Sequence, residues 1–152
     1  MRTLSIILPL LLLVSCQAPR PDNLGLIEKE GIGHKLLSPC PDSPNCIGSH
    51  YSDDKDHYLE PIKYETSTEE AQKNLKGLIK KTSGAKIVKE EPNYIHVEFT
   101  SSLFKFIDDV EFNFTKENVI HFRSASRLGH SDLGANKKRM EEVTFRFYQR
   151  DF

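Results

Sequence analysis

Phe104-Lys105-Phe106-Ile107-Asp108-Asp109-Val110-Glu111-Phe112-Asn113-Phe114-Thr115, then Lys116-Glu117-Asn118, then Val119-Ile120-His121-Phe122-Arg123-Ser124-Ala125-Ser126: the chain alternates apolar and polar residues, turns, and alternates again. Successive side chains of a strand point to opposite faces. Phe104, Phe106, Val110, Phe112 and Phe114 are therefore predicted to share one face, and Lys105, Asp109, Glu111 and Asn113 the other. In the return run Ile120 and Phe122 are apolar, while His121 and Arg123 are polar. A one-residue slip would invert the faces, so apolar residues must meet apolar residues across the hairpin. This predicts Phe114 opposite Ile120, Phe112 opposite Phe122 and Glu111 opposite Arg123. Asp109 then faces Ala125, diagonal to Arg123 and Arg127. Asp108 falls on the apolar face, opposite Ser126.

Upstream, Tyr94 to Ser101 alternates in the same way, with Ile95, Val97 and Phe99 against His96 and Glu98. Ala85 to Glu91 precedes it, closed by Pro92-Asn93, and Ile62 to Glu65 suits a short strand. Between them Ala71, Leu75, Leu78 and Ile79 recur at helical spacing. Ser67 or Thr68 suits the cap, Glu69 and Glu70 the first turn, Lys80 and Lys81 the last, and Gly84 the stop. Downstream, Leu128 to Ala135 reads as a loop. In the tail Met140, Val143 and Phe147 fit a helix, whereas Val143, Phe145 and Phe147 fit a strand. Helix formers in the first half, with Asp132 or Asn136 to cap, favour the helix. The expected architecture is α+β: an antiparallel sheet of four to five strands, with two helices packed on its apolar face.

The N-terminus carries a different signal. Met1-Arg2 is followed by an apolar run from Leu4 to Val14. That is too short for a membrane span, which needs ~20 apolar residues, and it suits a signal peptide. Leu13-Val14-Ser15-Cys16 resembles the bacterial lipobox, which implies diacylglycerol on the Cys16 thiol and cleavage before it. An ordinary secretory peptide is the rival. Two or more acyl chains attach a protein lastingly. Gln17 in place of aspartate points to the periplasmic side of the outer membrane in a Gram-negative cell. The expected division is a signal peptide over 1–15, a lipidated tether over 16–34, rich in proline, glycine and polar residues, and one domain over 35–152. A net charge of −1 gives no electrostatic case for nucleic acid.

Cys40 and Cys46 lie in Pro39-Cys40-Pro41-Asp42-Ser43-Pro44-Asn45-Cys46. An even pair in an exported chain reads as a disulfide. A metal site of Cys40, Cys46, His50 and His57 is the rival, but the spacing follows no strong zinc pattern. Neither a metal nor a cofactor is expected.

The polar residues of the hairpin are the candidate site. Asp109, Glu111, His121, Arg123 and Arg127, joined by His96 and Glu98, read either as a solvated face of cross-strand ion pairs or as chemistry. Asp108, among phenylalanines, needs a donor. The loop that follows reads Arg123-Ser124-Ala125-Ser126-Arg127-Leu128-Gly129-His130-Ser131-Asp132-Leu133-Gly134-Ala135-Asn136-Lys137-Lys138-Arg139. With residues 39–46 and 106–112, it resembles the signature of the domain of unknown function numbered 1499, from about residue 36 to the C-terminus. That resemblance brings no activity with it.

Arginine forks bind carboxylate and phosphate, and helix N-termini attract anions. Asp108, Asp109, Arg123, Arg127, Ser131, Asp132, Asn136 and Arg139 are thus the candidate binding residues. Asp108, Asp109, Arg123, Arg127 and Arg139 are expected to form one charged cluster, as an anion pocket or as an internal lock. The favoured function is a membrane-anchored binding or scaffold lipoprotein, with a small anionic ligand or an envelope protein as partner. The alternative is a small periplasmic hydrolase or transferase acting on an anionic substrate. In that reading Ser126 or Ser131 is the nucleophile, His121 or His130 the base, and Arg123 or Arg127 the oxyanion donor.

Overall fold

A computed structural model describes residues 18–150. The signal peptide, Cys16 and Gln17 lie outside the described residues. The elements in chain order are β1 (Leu26–Ile27), β2 (Leu36–Leu37), β3 (Cys46–Gly48), β4 (Ile62–Lys63), α1 (Thr68–Lys80), β5 (Ala85–Glu91), β6 (Tyr94–Thr100), β7 (Ile107–Thr115), β8 (Val119–Ser126) and α2 (Ala135–Tyr148).

The hairpin of β7 and β8 forms with the register that apolar matching requires. Phe114 faces Ile120, Phe112 faces Phe122, Glu111 faces Arg123, Asp109 faces Ala125 and Asp108 faces Ser126. The strand order is β3-β8-β7-β6-β5, with β4 also paired to β8, and every pairing is antiparallel. The sheet has six strands, one more than the expected upper number. The added strand is β3, of three residues, too short to show an alternating pattern; β4 falls within the short strand read at Ile62 to Glu65. A separate pair is made by β1 and β2, with Leu26 opposite Leu37.

Phe104 and Phe106 do not continue the apolar face. β7 begins only at Ile107. Lys105 takes a left-handed φ of 57° and turns the chain, while Ser101 N–H donates to the Phe106 carbonyl at 2.9 Å. The alternating reading assumed extended backbone through Lys105. Without it both rings stand in solvent, 5.7 Å apart between centroids.

Both helices cover the apolar face. α1 is capped by Ser67, whose Oγ accepts from Glu70 N–H at 3.2 Å, and it buries Ala71, Leu75, Leu78 and Ile79. Gly84 follows at φ 77°, where a β-carbon would meet the Thr100 carbonyl oxygen at 2.5 Å. α2 settles the tail as a helix. It buries Met140, Val143 and Phe147 and leaves Phe145 exposed, whereas a strand would have placed Val143, Phe145 and Phe147 on one face. Together the helices and the sheet enclose Ile62, Ile95, Val97, Val110, Phe112, Ile120 and Phe122. Truncating a phenylalanine in such a core costs about 3–5 kcal/mol.

The opposite face of the sheet is buried too. Asp109 is 1% exposed and Glu111 0%. The cover is the N-terminal segment from Ala18 to Ser38, the first part of which was expected as an unpacked tether. Leu36 and Leu37 are buried, Gly25 N–H donates to Glu111 Oε1 at 2.6 Å, and Asn113 Nδ2 donates to the Lys35 carbonyl at 2.9 Å. The segment is a strap across the sheet. Among the described residues no helix is long and apolar enough to cross a membrane.

Candidate functional site

The pairing register sets nine residues of three strands in rows beneath the strap. Glu98, Asp109 and Ala125 form one row; His96, Glu111 and Arg123 the next; Tyr94, Asn113 and His121 the third. The small side chain of Ala125 leaves room for Arg127, which reaches back from the end of β8. Its Nε and Nη2 donate to the two oxygens of Asp109 at 2.7 and 2.8 Å, a bidentate pair. Nη2 also donates to Glu98 Oε1 at 2.5 Å. His96 Nε2 lies 2.7 Å from Asp109 Oδ1. From the strap, Arg20 Nη2 donates to Glu98 Oε1 at 2.8 Å.

Burial pushes the Asp109 carboxyl upward, but the Arg127 and His96 hydrogen bonds and charges outweigh it and hold the group below its ordinary range. Glu98 follows the same logic, with Arg20 and Arg127 overcoming burial. The Asp109 hydrogen bonds in turn raise Arg127, against the opposing effect of burial. One row along, Glu111 Oε1 accepts from Tyr94 Oη at 2.7 Å as well as from the strap. Burial, then the Glu111 charge, raises the Tyr94 hydroxyl well above its ordinary value. Arg123 Nη1 reaches Glu111 Oε2 only at 3.4 Å, and the buried Arg123 Nε has no hydrogen-bond partner.

On the helix face a second network forms around Asn136, in the first turn of α2. Its Nδ2 donates to the Asn45 carbonyl at 2.9 Å, to Ser126 Oγ at 3.0 Å and to Asp132 Oδ2 at 2.8 Å. Its Oδ1 accepts from Ser124 Oγ and from Arg139 Nη1, each at 2.5 Å. Arg139 Nη2 donates to Asp108 Oδ2 at 2.5 Å, and the guanidinium lies 4.8 Å over the Phe99 ring. Asp132 Oδ2 also accepts from Asn136 N–H at 2.7 Å, although the N-cap position of α2 is Gly134, which has no side-chain cap bond, and neither expected residue occupies it. Ser131, on the exposed loop, accepts from Leu133 N–H at 3.3 Å.

The expected single cluster is thus divided by the sheet. Asp109, Arg127 and Arg123 lie under the strap; Asp108, Arg139, Asn136 and Asp132 lie on the helix side. The cause is strand geometry, since adjacent Asp108 and Asp109 must point oppositely. The polar face is an enclosed charged layer rather than a solvated one. An anion approaching Arg127 would have to displace a buried carboxylate. Among the described residues neither Ser126 nor Ser131 hydrogen-bonds a histidine; their bonds go to Asn136 and Leu133.

A Ser–His contact does occur elsewhere, and reasoning from sequence missed it. Ser49 Oγ lies 3.3 Å from His121 Nδ1, and His121 stacks on His50 with ring centroids 3.8 Å apart. Ser49 is buried, and its Oγ also accepts from Phe122 N–H at 2.8 Å. Beside it Ser49, His50, His57, Cys40 and Arg123 line a cavity of about 10 Å³, room for about one water. A larger depression of about 370 Å³, lined by Lys63, Tyr64, Glu70, Asn74, Phe147 and Tyr148 among others, lies between the two helices and β4. Cys40 and Cys46 form the expected disulfide, with Cα atoms 5.7 Å apart, so neither thiolate is free for a metal. Among the described residues no group of three or more histidines, cysteines and carboxylates is placed to hold one.

A family model described as "Protein of unknown function (DUF1499)" matches residues 36–147. The chain belongs to this family. All of the disulfide loop, β7, β8 and α2 up to Phe147 fall inside the DUF1499 match, and the strap residues before Leu36 fall outside it. Comparison of this DUF1499 chain with curated proteins and with solved structures finds no match.

Proposed function

We propose that the protein is a membrane-anchored bacterial lipoprotein whose domain is a small binding or scaffold module. In this reading the chain is exported, cut before Cys16 and held by lipid on that cysteine, in a Gram-negative cell on the periplasmic side of the outer membrane. The Leu13-Val14-Ser15-Cys16 motif supports the anchor, and the Cys40–Cys46 disulfide suits an oxidising compartment. The observation that favours a scaffold over a catalytic pocket is the internal pairing of two of the loop arginines. Arg127 and Arg139 hold carboxylates of their own chain, so they brace the fold rather than wait for substrate.

A hydrolase or transferase has one contact in its favour, that of Ser49 with His121. That serine is buried, tied to the backbone, and faces a space for about one water, too small for an anionic substrate. The test of the anchor is metabolic lipid labelling with detergent-phase partitioning. The parent chain should label and enter the detergent phase, and Cys16→Ser should do neither. Equal labelling of both would overturn the reading. For the domain, native mass spectrometry of the purified lipoprotein should show no covalent adduct on Ser49, Ser126 or Ser131 after treatment with a serine-directed phosphonate. An adduct on any of them would favour the enzyme.

A further inference from the structure

The loop between β6 and β7 and the loop between β8 and α2 lie at one end of the sheet. Thr100 pairs with Ile107, and Arg127 N–H donates to the Ile107 carbonyl at 3.0 Å. These loops hold the greater part of the exposed large apolar side chains among the described residues. Leu103 is 76% exposed, Phe104 70% and Leu133 97%, with Phe106 and Leu128 also in solvent. Apolar groups gathered at one end of a soluble fold mark a contact surface. Neither loop lines either of the two cavities described above.

The chain enters the fold at this same end. Arg127 Nη1 lies 3.5 Å from the Ala18 carbonyl, and Arg20 bonds Glu98, two residues before the end of β6. From there the strap runs inward to Gly25 over Glu111. Cys16 precedes Ala18 by two residues, which span at most about 7 Å even when extended. Exposed lysines stand at the same end: Lys105 between the two phenylalanines, and Lys137 and Lys138 in the first turn of α2.

We propose that this end of the sheet is a lipid-docking surface, on which Leu103, Phe104, Phe106, Leu128 and Leu133 enter the headgroup boundary of the bilayer that holds the anchor. The inference rests on the lipoprotein reading and adds an orientation to it. Apolar side chains flanked by lysines are the composition of interfacial insertion: the rings take the acyl boundary and the ammonium groups the phosphates. The short lead from Cys16 keeps the two loops within reach of the interface. The turn of Lys116 to Asn118, at the other end of the β7–β8 hairpin, points away from it.

The chain has no tryptophan, so single reporters can be placed cleanly. The full lipidated protein is reconstituted into vesicles of phosphatidylethanolamine and phosphatidylglycerol, with or without brominated acyl chains. Phe104→Trp and Leu128→Trp, on different loops, are compared with Glu117→Trp at the far turn. The expected result is a blue-shifted emission for the first two and quenching by brominated lipid several-fold stronger than for Glu117→Trp. Intact mass reports lipid on Cys16 in the same samples. A lipidated, vesicle-bound protein in which all three reporters are quenched equally weakly overturns the docking surface while leaving the anchor standing. A chain without lipid on Cys16 overturns both.

Discussion

Asp108 and Asp109 are neighbours in the chain and partners of different arginines on opposite faces of one sheet: Asp108 meets Arg139 of α2 at 2.5 Å, and Asp109 meets Arg127 beneath the strap at 2.7 Å. The two pairs differ in depth. Side-chain exposure is 1% for Asp109 and 6% for Arg127, against 12% and 17% for Asp108 and Arg139.

The deeper pair should be the costlier to break. Asp109→Ala leaves Arg127 with Glu98 and the distant Ala18 carbonyl and strips His96 of its acceptor, so a loss of about 3–5 kcal/mol is expected, the range for a broken buried pair. Asp108→Ala leaves Arg139 bonded to Asn136 and Ser124 and resting on Phe99, so about 1–2 kcal/mol is expected. Urea denaturation at neutral pH of both variants checks the order. Equal losses, or a larger one for Asp108→Ala, would contradict it.

Acidification should weaken the fold in two stages. Burial, then His121 and His34, pushes His50 down to about 3, and burial also lowers His121. The unfolded chain takes these protons near pH 6.5, so it binds more protons than the folded one below that value. Stability is full above about pH 6.5 and declines as the pH falls below it. The depressed carboxyls of Asp109 and Glu98 add a second decline below the ordinary carboxylate range. Denaturation midpoints from about pH 7 to about pH 5 should fall for the parent and fall less for His50→Gln. A parent midpoint that is flat over that interval would count against the histidine contribution.

Reducing the Cys40–Cys46 disulfide opens a loop with a sequence separation of 6. On the chain-entropy account that costs about 2 kcal/mol. A double Cys40→Ser, Cys46→Ser variant should show a loss of that order by urea denaturation. Thiol labelling of the denatured, unreduced parent should find neither cysteine reactive.

Gly25 holds a φ of 106° and donates its N–H to Glu111. No atom stands within 4 Å of where its β-carbon would be, so Gly25→Ala tests backbone strain alone. About 1–2 kcal/mol should be lost, with faster proteolysis between Ala18 and Leu36. Unchanged proteolysis would mean that the strap does not depend on this turn.

The sequence carried most of the fold because the strongest constraint lay in two strands. Matching Phe112 with Phe122 and Phe114 with Ile120 left one register, and that register also placed Glu111 against Arg123. The burial of that second face was not legible. Its cover comes from Leu26, Leu36 and Leu37, in strands of two residues each, the first of them amid glycine and proline that read as tether. The division of the charged cluster was implicit in the opposite faces of Asp108 and Asp109. Loop arginines, however, have long side chains, and pattern alone does not say which face they return to. The His50–His121 stack was hidden because His50 lies in irregular chain, where no period assigns a side.

Force applied through the residues preceding Ala18 would meet the fold in a fixed sequence. The Arg127 contact to the Ala18 carbonyl and the Arg20–Glu98 pair come first, then the Gly25–Glu111 bond, then the two-residue ladder of β1 and β2. Each of these contacts opens singly, whereas the long ladders of β6, β7 and β8 share the load over many pairs and open after them. The strap is therefore a mechanical fuse: a tug on the chain's leading end would bare Glu111 and Asp109 to water well before it unravelled the sheet.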